Sequence, residues 1–482
     1  SLLMSKGIIS DFQETEINQI YTSLKKKPSD TVFSTRLDRA PYVTEHVRDI
    51  LKSVDPTINI YEQGGYTIET TLNVEIQDAL DDIVKSHLNN LTSNKYVTKT
   101  KIVGGEKVRD NSAETTANDL QAAVIGVNPT SGEILFFHGG YEFSSQNQFN
   151  RAIQMRRQTG STIKPILYAA AIDSGVVHPG TRVLDAPILF RGMKGQKNWA
   201  PDNIGLTYDG EISVREALIR SKNTAAVQVA ERLGSEKIDK YYSLFFFPDA
   251  KEKERRFRND LSVSLGTLEI SPLEMAIAFG AFSNDGKIIR PVLVKRILDN
   301  SGKVIYTGEN KDEFHLKIPQ ERTVISPDAS EVIVSIMKSS ANASGFRSTG
   351  IRSEIAGKTG TTNDYKDAWF IGTRPNFAMA VWVGFDDQSY GMGSRGMGAV
   401  FAAPLWGKIG KKIEELNLMP KGNFHFSKRA TYHKICKESG ELASDTCINT
   451  VSEIFSSNGI PRKVCHLKHS KSAKKEILKS IF

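Results

Sequence analysis

Cysteine is nearly missing from this sequence: there are three in 482 residues, and none before position 436. A disulfide framework is thereby excluded for the large middle section. No apolar run reaches the length of a membrane span, and no secretory leader with its charged, apolar and small-residue regions is visible. Ser1 is not an initiator, and Ser1-Leu2-Leu3-Met4 reads as the middle of something, so the expectation is a chain whose N-terminal part is missing. A strong charge of one sign is absent as well. The net charge is +8, and the six lysines and one glutamate between Lys463 and Phe482 supply five of it. The remainder is close to balanced, so no nucleic-acid-binding surface is expected. The basic tail reads as a solvated segment, with contact to an anionic membrane or cell-wall polymer as the alternative.

What is present is ordinary globular material, 39% hydrophobic and 24% charged, long enough for two or three domains. Cys436, Cys447 and Cys465 allow two arrangements. One is a disulfide with one thiol left over, in an oxidising compartment. The other is a metal site completed by His466 or His469, since three thiolates and an imidazole fill a tetrahedron. The short Cys-x-x-Cys knuckle is missing, which weighs against the metal site.

Chemistry concentrates in Arg157-Gln158-Thr159-Gly160-Ser161-Thr162-Ile163-Lys164-Pro165. Gly160 frees the backbone before a turn. Pro165 belongs in the first turn of a helix. Ile163, Ile166, Leu167, Ala170 and Ala171 then mark one helical face. This places Ser161 at a helix N-terminus, with Lys164 three residues on and on the same side. A buried, neutral lysine there can take the serine proton and activate the hydroxyl for acyl transfer. By itself Ser-x-x-Lys is weak, since it recurs at Ser23/Lys26, Ser335/Lys338 and Ser472/Lys475.

Taken in order, residues 1–30 read as an amphipathic helical piece ending at the Lys25-Lys26-Lys27-Pro28 linker. A helix follows from Pro41 to about Ser53, a strand over 64–72, and a helix capped by Asn73 to about Leu91. Residues 92–118 read as loop. Strands at 121–127 and 133–137 flank a turn at 128–132. A capping box, Ser213-Val214-Arg215-Glu216, opens a helix to about Arg220. Ser221-Lys222-Asn223 interrupts it, and helix resumes over 224–233. Further helices are expected over 271–283 and 326–340. Strands are expected over 354–361, 368–372 and 377–385, with a separate tail from about Gly407. The middle section is therefore α+β, with an antiparallel sheet flanked by helices.

Two more motifs complete a set. In Ser221-Lys222-Asn223, the hydroxyl can relay a proton and the amide can hold a peptide by donor and acceptor. In Lys358-Thr359-Gly360-Thr361, Lys358 supplies positive charge and the threonine hydroxyls can bind a carboxylate. Gly360 makes room for a substrate backbone. The N–H groups of Ser161 and Thr361 can form an oxyanion hole.

In the order Ser-x-x-Lys, Ser-x-Asn, Lys-Thr-Gly, these residues resemble the signature of penicillin-binding proteins and active-site serine β-lactamases. The neighbouring segments Asn150-Arg151-Ala152, Trp199–Asn203, Ser264-Leu265-Gly266 and Trp382–Asp386 resemble class A penicillin-binding proteins in particular. Thr159 departs from the pattern, which usually has proline there. The resemblance implies the penicillin-recognising transpeptidase fold. It implies Ser161 as acylated nucleophile, Lys164 and Ser221 as proton carriers, and Asn223 as a substrate ligand. Lys358 and the hydroxyls of Thr359 and Thr361 would hold the terminal carboxylate, with Gly360 beside the substrate backbone, and no metal or organic cofactor is implied.

The implied reaction is D,D-transpeptidation of peptidoglycan stem peptides, blocked by β-lactams. The same motifs also serve D,D-carboxypeptidases, β-lactamases and non-catalytic β-lactam sensors. The family's membrane helix and glycosyltransferase motifs are not found, so no glycosyltransferase activity is expected. The implied division is 1–30 as the end of a glycosyltransferase domain, 31–118 as a small linker region, 119–418 as the transpeptidase domain and 419–482 as an extension. The implied location is the outer face of the cytoplasmic membrane. Lys222 and Lys358 both stand in motifs expected to converge on Ser161. Their charge should help keep Lys164 neutral, with Lys358 charged as the anchor.

Overall fold

The computed structural model describes residues 38–469, apart from 59–64, 104–105, 110–115, 117–118, 191–197, 247–249, 259, 310, 345–348, 419–421, 425 and 427–429. The helix expected over 1–30, its linker, and most of the basic tail lie outside the described residues.

Helix α1 (Pro41–Val54) begins with a proline, whose missing N–H has no helical partner to lose there, and buries Tyr42, Val43, Val47 and Leu51. Strand β1 (Thr67–Thr70) follows. Asn73 caps α2 (Val74–Ser93) by accepting the N–H of Ile76. Ile76, Leu80, Val84, Leu88 and Leu91 form the buried stripe of that helix. The stretch expected as loop over 92–118 contains a hairpin, β2 (Thr100–Val103) and β3 (Glu106–Arg109), and β2 also pairs with Tyr390–Gly391. These strands are four residues long and largely polar, so no apolar alternation marked them.

Strands β4 (Leu120–Val127) and β5 (Ile134–His138) are joined by a turn in which the Asn128 side chain accepts the N–H of Thr130. Helix α3 (Lys164–Asp173) follows the nucleophile segment. Strand β6 (Arg182–Asp185) pairs with β7 (Gly210–Ser213). The Ser213/Glu216 capping box opens α4 (Val214–Ile219), and α5 (Asn223–Leu233) and α6 (Ser235–Phe246) come next. A second capping box, Ser271/Glu274, opens α7 (Pro272–Phe282). Then come the hairpin β8 (Val294–Leu298) and β9 (Val304–Thr307), helix α8 (Pro327–Ala343), and strands β10 (Ala356–Thr361), β11 (Asp367–Thr373) and β12 (Ala378–Phe385). Helix α9 (Gly398–Glu415) runs unbroken through Gly407, where the tail was expected to begin. Ile409 and Ile413 are buried, so this last part of the helix belongs to the core. Strands β13 (Thr431–Cys436) and β14 (Thr450–Phe455) form a final antiparallel pair.

The central sheet has the order β10-β11-β12-β4-β5, and every neighbour is antiparallel. Strands β4, β5 and β12 read as nearly continuous apolar runs because both faces are covered. Trp369, Ile371, Ala380 and Trp382 join a core that includes α3, α7 and α8. Phe370, Val381 and Val383 join a second core with α2 and α9. The alternation follows the two-residue period of a strand. Helix α7 is buried at every position, which explains why its sequence is apolar apart from the capping Glu274. Burying each large apolar side chain of this kind contributes about 1.5–3 kcal/mol. Strand β10 is the edge of the sheet, and the turn carrying Ser161 lies beside it.

Candidate active site

The nucleophile segment is clamped before it turns. Trp369 donates from Nε1 to Gln158 O at 2.9 Å, Thr159 N–H donates to Leu268 O at 3.2 Å, and Gly160 N–H donates to Gly266 O at 3.2 Å. The Thr159 bond is one that a proline could not make. Arg151 pairs with Asp386, and Arg157 reaches Phe385 O and Asp386 O, so the segments that carried the family resemblance touch one another.

Residues Gly160–Ile163 form a single 3-10 turn leading into α3, rather than the first turn of the α-helix itself. In this tighter helix, residues three apart eclipse one another, and Lys164 N–H donates to Ser161 O. Ser161 and Lys164 therefore share a side, as the spacing required. Ser161 is half-buried, and Lys164 is fully buried.

The turn is pressed against the edge of β10. Gly160 has φ +52°, and a Cβ there would lie 2.7 Å from Thr361 O. A Cβ on Gly360 would lie 2.6 Å from Thr159 O and 2.8 Å from Thr162 Cγ2. Gly360 was expected to clear space for substrate. Its missing side chain instead lets the nucleophile turn pack directly on the strand. Thr362 N–H bonds to Asp367 O, and alternate pairs in an antiparallel ladder exchange these bonds. Thr359 and Thr361 fall in the other set, so their N–H and C=O groups point to the open edge beside Ser161. The Thr361 hydroxyl oxygen accepts the N–H of Gly398 at 3.1 Å, which leaves its proton free to donate.

Ser221 sits between α4 and α5 with φ +59°, in the left-handed region that serine rarely adopts. This backbone turns both of its oxygens inward. Lys164 Nζ lies 2.7 Å from Ser221 O and 3.5 Å from Ser221 Oγ, and Lys358 Nζ lies 2.9 Å from Ser221 Oγ. Lys164 also donates to Asn223 Oδ1 at 2.7 Å. The Asn223 amide is oriented by donating from Nδ2 to Asp202 O at 2.6 Å. Asn223 was expected to meet substrate with both ends. Here both ends are engaged by protein, and its oxygen holds Lys164.

Burial pushes Lys164 well below the usual lysine range, and the charge of Lys358 adds to this. Asp185 opposes it. Burial also pulls Lys358 down, to about 7. The sequence reading keeps Lys358 charged by pairing it with the substrate carboxylate. In the free site no carboxylate among the described residues pairs with it, and burial disfavours its charged form.

Lys222 does not converge on Ser161. Its Nζ lies 2.9 Å from Asp185 and 2.8 Å from Asp209. Partial burial works against its charge, but the hydrogen bonds of these carboxylates outweigh it and raise its pKa. Asp185 is the group that sequence reasoning missed. Fully buried, it also accepts from Thr224 Oγ1 at 2.6 Å, Asn203 Nδ2 at 2.5 Å and Asp209 N–H at 2.8 Å. Asn203 Oδ1 in turn accepts the Asn223 N–H at 2.7 Å. This hub positions the start of α5 and hence Asn223. An isolated acid in Val183-Leu184-Asp185 carries no sequence pattern that announces such a role.

A buried amine held away from its charged form three residues after a serine at a tight turn, with a sheet edge open next to both, is an arrangement suited to acyl transfer through that serine. Residues 122–403 match the model of the penicillin binding protein transpeptidase domain, and the chain belongs to that family. Penicillin-binding protein 1A of Neisseria gonorrhoeae is 31% identical over 430 residues, covering 80% of this chain and 52% of that protein. Penicillin-binding protein 1A of Pseudomonas aeruginosa is 34% identical over 329 residues, covering 59% of this chain and 39% of that protein. The chain thus spans about half or less of the length of these relatives. Among solved structures, penicillin-binding protein 1A from Haemophilus influenzae superposes with a TM-score of 0.75 at 24% identity, over 96% of this chain and 81% of that one. PonA1 from Mycobacterium tuberculosis in complex with penicillin V superposes with a TM-score of 0.62 at 21% identity, over 80% and 95%. At these identities the superpositions establish the fold. Among the described residues no helix is long and apolar enough to cross a membrane.

Proposed function

We propose that this chain is a serine D,D-transpeptidase that crosslinks peptidoglycan stem peptides through an acyl-enzyme at Ser161. The observation that carries this reading is the hydrogen-bonding of Lys164. A neutral amine has two N–H donors and one lone pair. Asn223 Oδ1 and Ser221 O, both at 2.7 Å, take the two donors. The lone pair is left to accept the proton of Ser161.

Ser161 Oγ attacks the carbonyl carbon between the two terminal D-alanines as its proton passes to Lys164. The oxyanion is held by the N–H groups of Ser161 and Thr361, the latter on the open edge of β10. The C–N bond then breaks. Lys164 returns its proton through Ser221 to the departing D-alanine nitrogen, which leaves an ester on Ser161. An amine of a second stem peptide attacks that ester, gives up its proton to the same relay, and Ser161 Oγ recovers a proton as it leaves. Lys358, Thr359 and Thr361 hold the terminal carboxylate. Bound carboxylate raises the pKa of Lys358, so the anchor gains its charge with its ligand. β-Lactams acylate the same serine.

Residues of about 119–418 form the catalytic domain in this reading, and the protein works at the outer face of the cytoplasmic membrane, where its substrate lies. The test is incubation with a D-Ala-D-Ala stem peptide and an amine acceptor. Release of D-alanine in step with crosslinked product supports the proposal. Hydrolysed peptide without crosslink would point to a carboxypeptidase, and a stable adduct without turnover to a sensor.

A further inference from the structure

The three cysteines, 11 to 29 positions apart in sequence, meet in space with one histidine. Cys436 Sγ, Cys447 Sγ and Cys465 Sγ lie 3.6, 3.5 and 3.3 Å from His469 Nε2, and all four ligand atoms fall within 4.8 Å of one another. All three cysteines are free thiols, so the reading of one disulfide with a thiol left over does not describe this arrangement. Around zinc, S ligands sit at about 2.3 Å and N ligands at about 2.0–2.1 Å. Their tetrahedral S···N edge is then about 3.5 Å. The three observed edges fall around that value.

The surroundings fit a metal as well. The other ring nitrogen, His469 Nδ1, lies 2.9 Å from Glu438 Oε2, a carboxylate partner that fixes the tautomer and turns Nε2 inward. The His469 side chain is only 1% exposed. Ser444 donates its backbone N–H to Cys447 Sγ at 3.3 Å. Cys436 stands at the end of β13, where Gly440 N–H returns to Cys436 O at 2.9 Å, and Cys465 N–H reaches Leu442 O at 2.8 Å. The four ligands thus come from the end of a strand, two loops and the last described residue. The β13–β14 hairpin is short, with six residues in each strand. It docks on the catalytic domain through Arg215–Glu453 at 2.7 Å and Ser457–Asp328 at 2.6 Å. A segment of this size commonly needs a cross-link or metal to hold its turns.

The geometry points to a structural zinc site formed by Cys436, Cys447, Cys465 and His469, closed by four protein ligands and separate from the acyl-transfer site. Loading exchanges three thiol protons for Zn²⁺ and leaves the centre with one net negative charge. No coordination position remains for substrate, so the metal braces the C-terminal module and takes no part in acyl transfer. His466, the other histidine considered, pairs with Glu441, and its side chain is 79% exposed; it is not a ligand.

The test is elemental analysis of the chain purified under reducing conditions without chelator, followed by cobalt substitution. One equivalent of zinc is expected, with intense visible bands of tetrahedral thiolate-bound Co²⁺ after exchange. Cys465→Ser and His469→Ala should lose the metal, and His466→Ala should keep it. Because the first two variants can also unfold the module, Glu438→Gln provides an independent reading. It leaves all four ligands in place and should weaken zinc in chelator competition by about 10–100-fold. The proposal is overturned by less than a tenth of an equivalent of zinc with no cobalt spectrum. It is also overturned by an intact mass two hydrogens low from a disulfide, by metal loss in His466→Ala rather than His469→Ala, or by unchanged zinc affinity in Glu438→Gln.

Discussion

Lys358 donates to Ser221 Oγ at 2.9 Å, and this bond decides where the serine's own proton points. With one lone pair of Oγ taken by Lys358, the hydroxyl hydrogen is left to point toward a leaving nitrogen. The strained φ of +59° at Ser221 is what places Oγ there. Ser221→Gly allows that backbone and removes the hydroxymethyl side chain. Its thermal midpoint should equal or exceed the parent's, because left-handed backbone costs a non-glycine residue roughly 1–2 kcal/mol. Its acylation by penicillin should nevertheless fall by about 10²-fold or more. Ser221→Ala should lose both stability and rate. Parent-like acylation in Ser221→Gly would remove the serine from the proton path.

The two buried lysines should respond differently to arginine. Lys164→Arg keeps a charge that cannot be given up, so the base is lost, and acylation should drop by about 10²–10⁴-fold. Lys358→Arg keeps the anchor's charge and should be milder. The second-order rate of acylation by penicillin measures both. A more damaging Lys358→Arg would reverse the assigned roles.

The pH dependence follows from the same pair. Acylation needs Lys164 unprotonated, so the rate should fall as pH drops through its depressed pKa. It also needs Lys358 protonated to meet a carboxylate, so the rate should fall as pH rises above about 7. The second-order acylation rate reports the free enzyme, and a bell with its alkaline limb near that value is expected. Arginine does not titrate in this range, so Lys358→Arg should abolish the alkaline limb and leave the acid limb in place. An alkaline limb that survives in Lys358→Arg would belong to another group.

Much of this site was legible in the sequence. Ser161, Lys164 and Lys358 carry their placement in their spacing, because a helix turn and a strand edge are local structures with fixed periods. The Ser213/Glu216 capping box and the Asn73 cap could be read for the same reason. What could not be read depends on residues far apart in the chain. Lys222 stands inside a motif yet turns to Asp185 and Asp209, and Asp185 shows no periodic pattern of its own. Asn223 faces Lys164 because Asp202 O captures its amide nitrogen. The β2–β3 hairpin was too short and polar to announce itself, and the cysteines 436, 447 and 465 lack a short knuckle although they meet around His469.

Gly360 tests the packing of turn on strand. Its backbone φ is not positive, so Gly360→Ala carries no penalty of conformation, only that of contact. The new methyl would meet Thr159 O at 2.6 Å, backbone that cannot swing aside as a side chain can. The turn should move off β10 and take Ser161 out of line with the Thr361 N–H. Acylation should fall by on the order of 10²-fold, the scale of a misplacement of about 1 Å. Equal rates for variant and parent would show that the turn tolerates displacement.

The most direct measurement is the position of the penicillin adduct. The chain is treated with penicillin, digested and sequenced by mass spectrometry. One adduct is expected, on the peptide containing Ser161, and none in Ser161→Ala. An adduct on any other residue, or one that persists undiminished in Ser161→Ala, would contradict the assignment of Ser161 as the nucleophile.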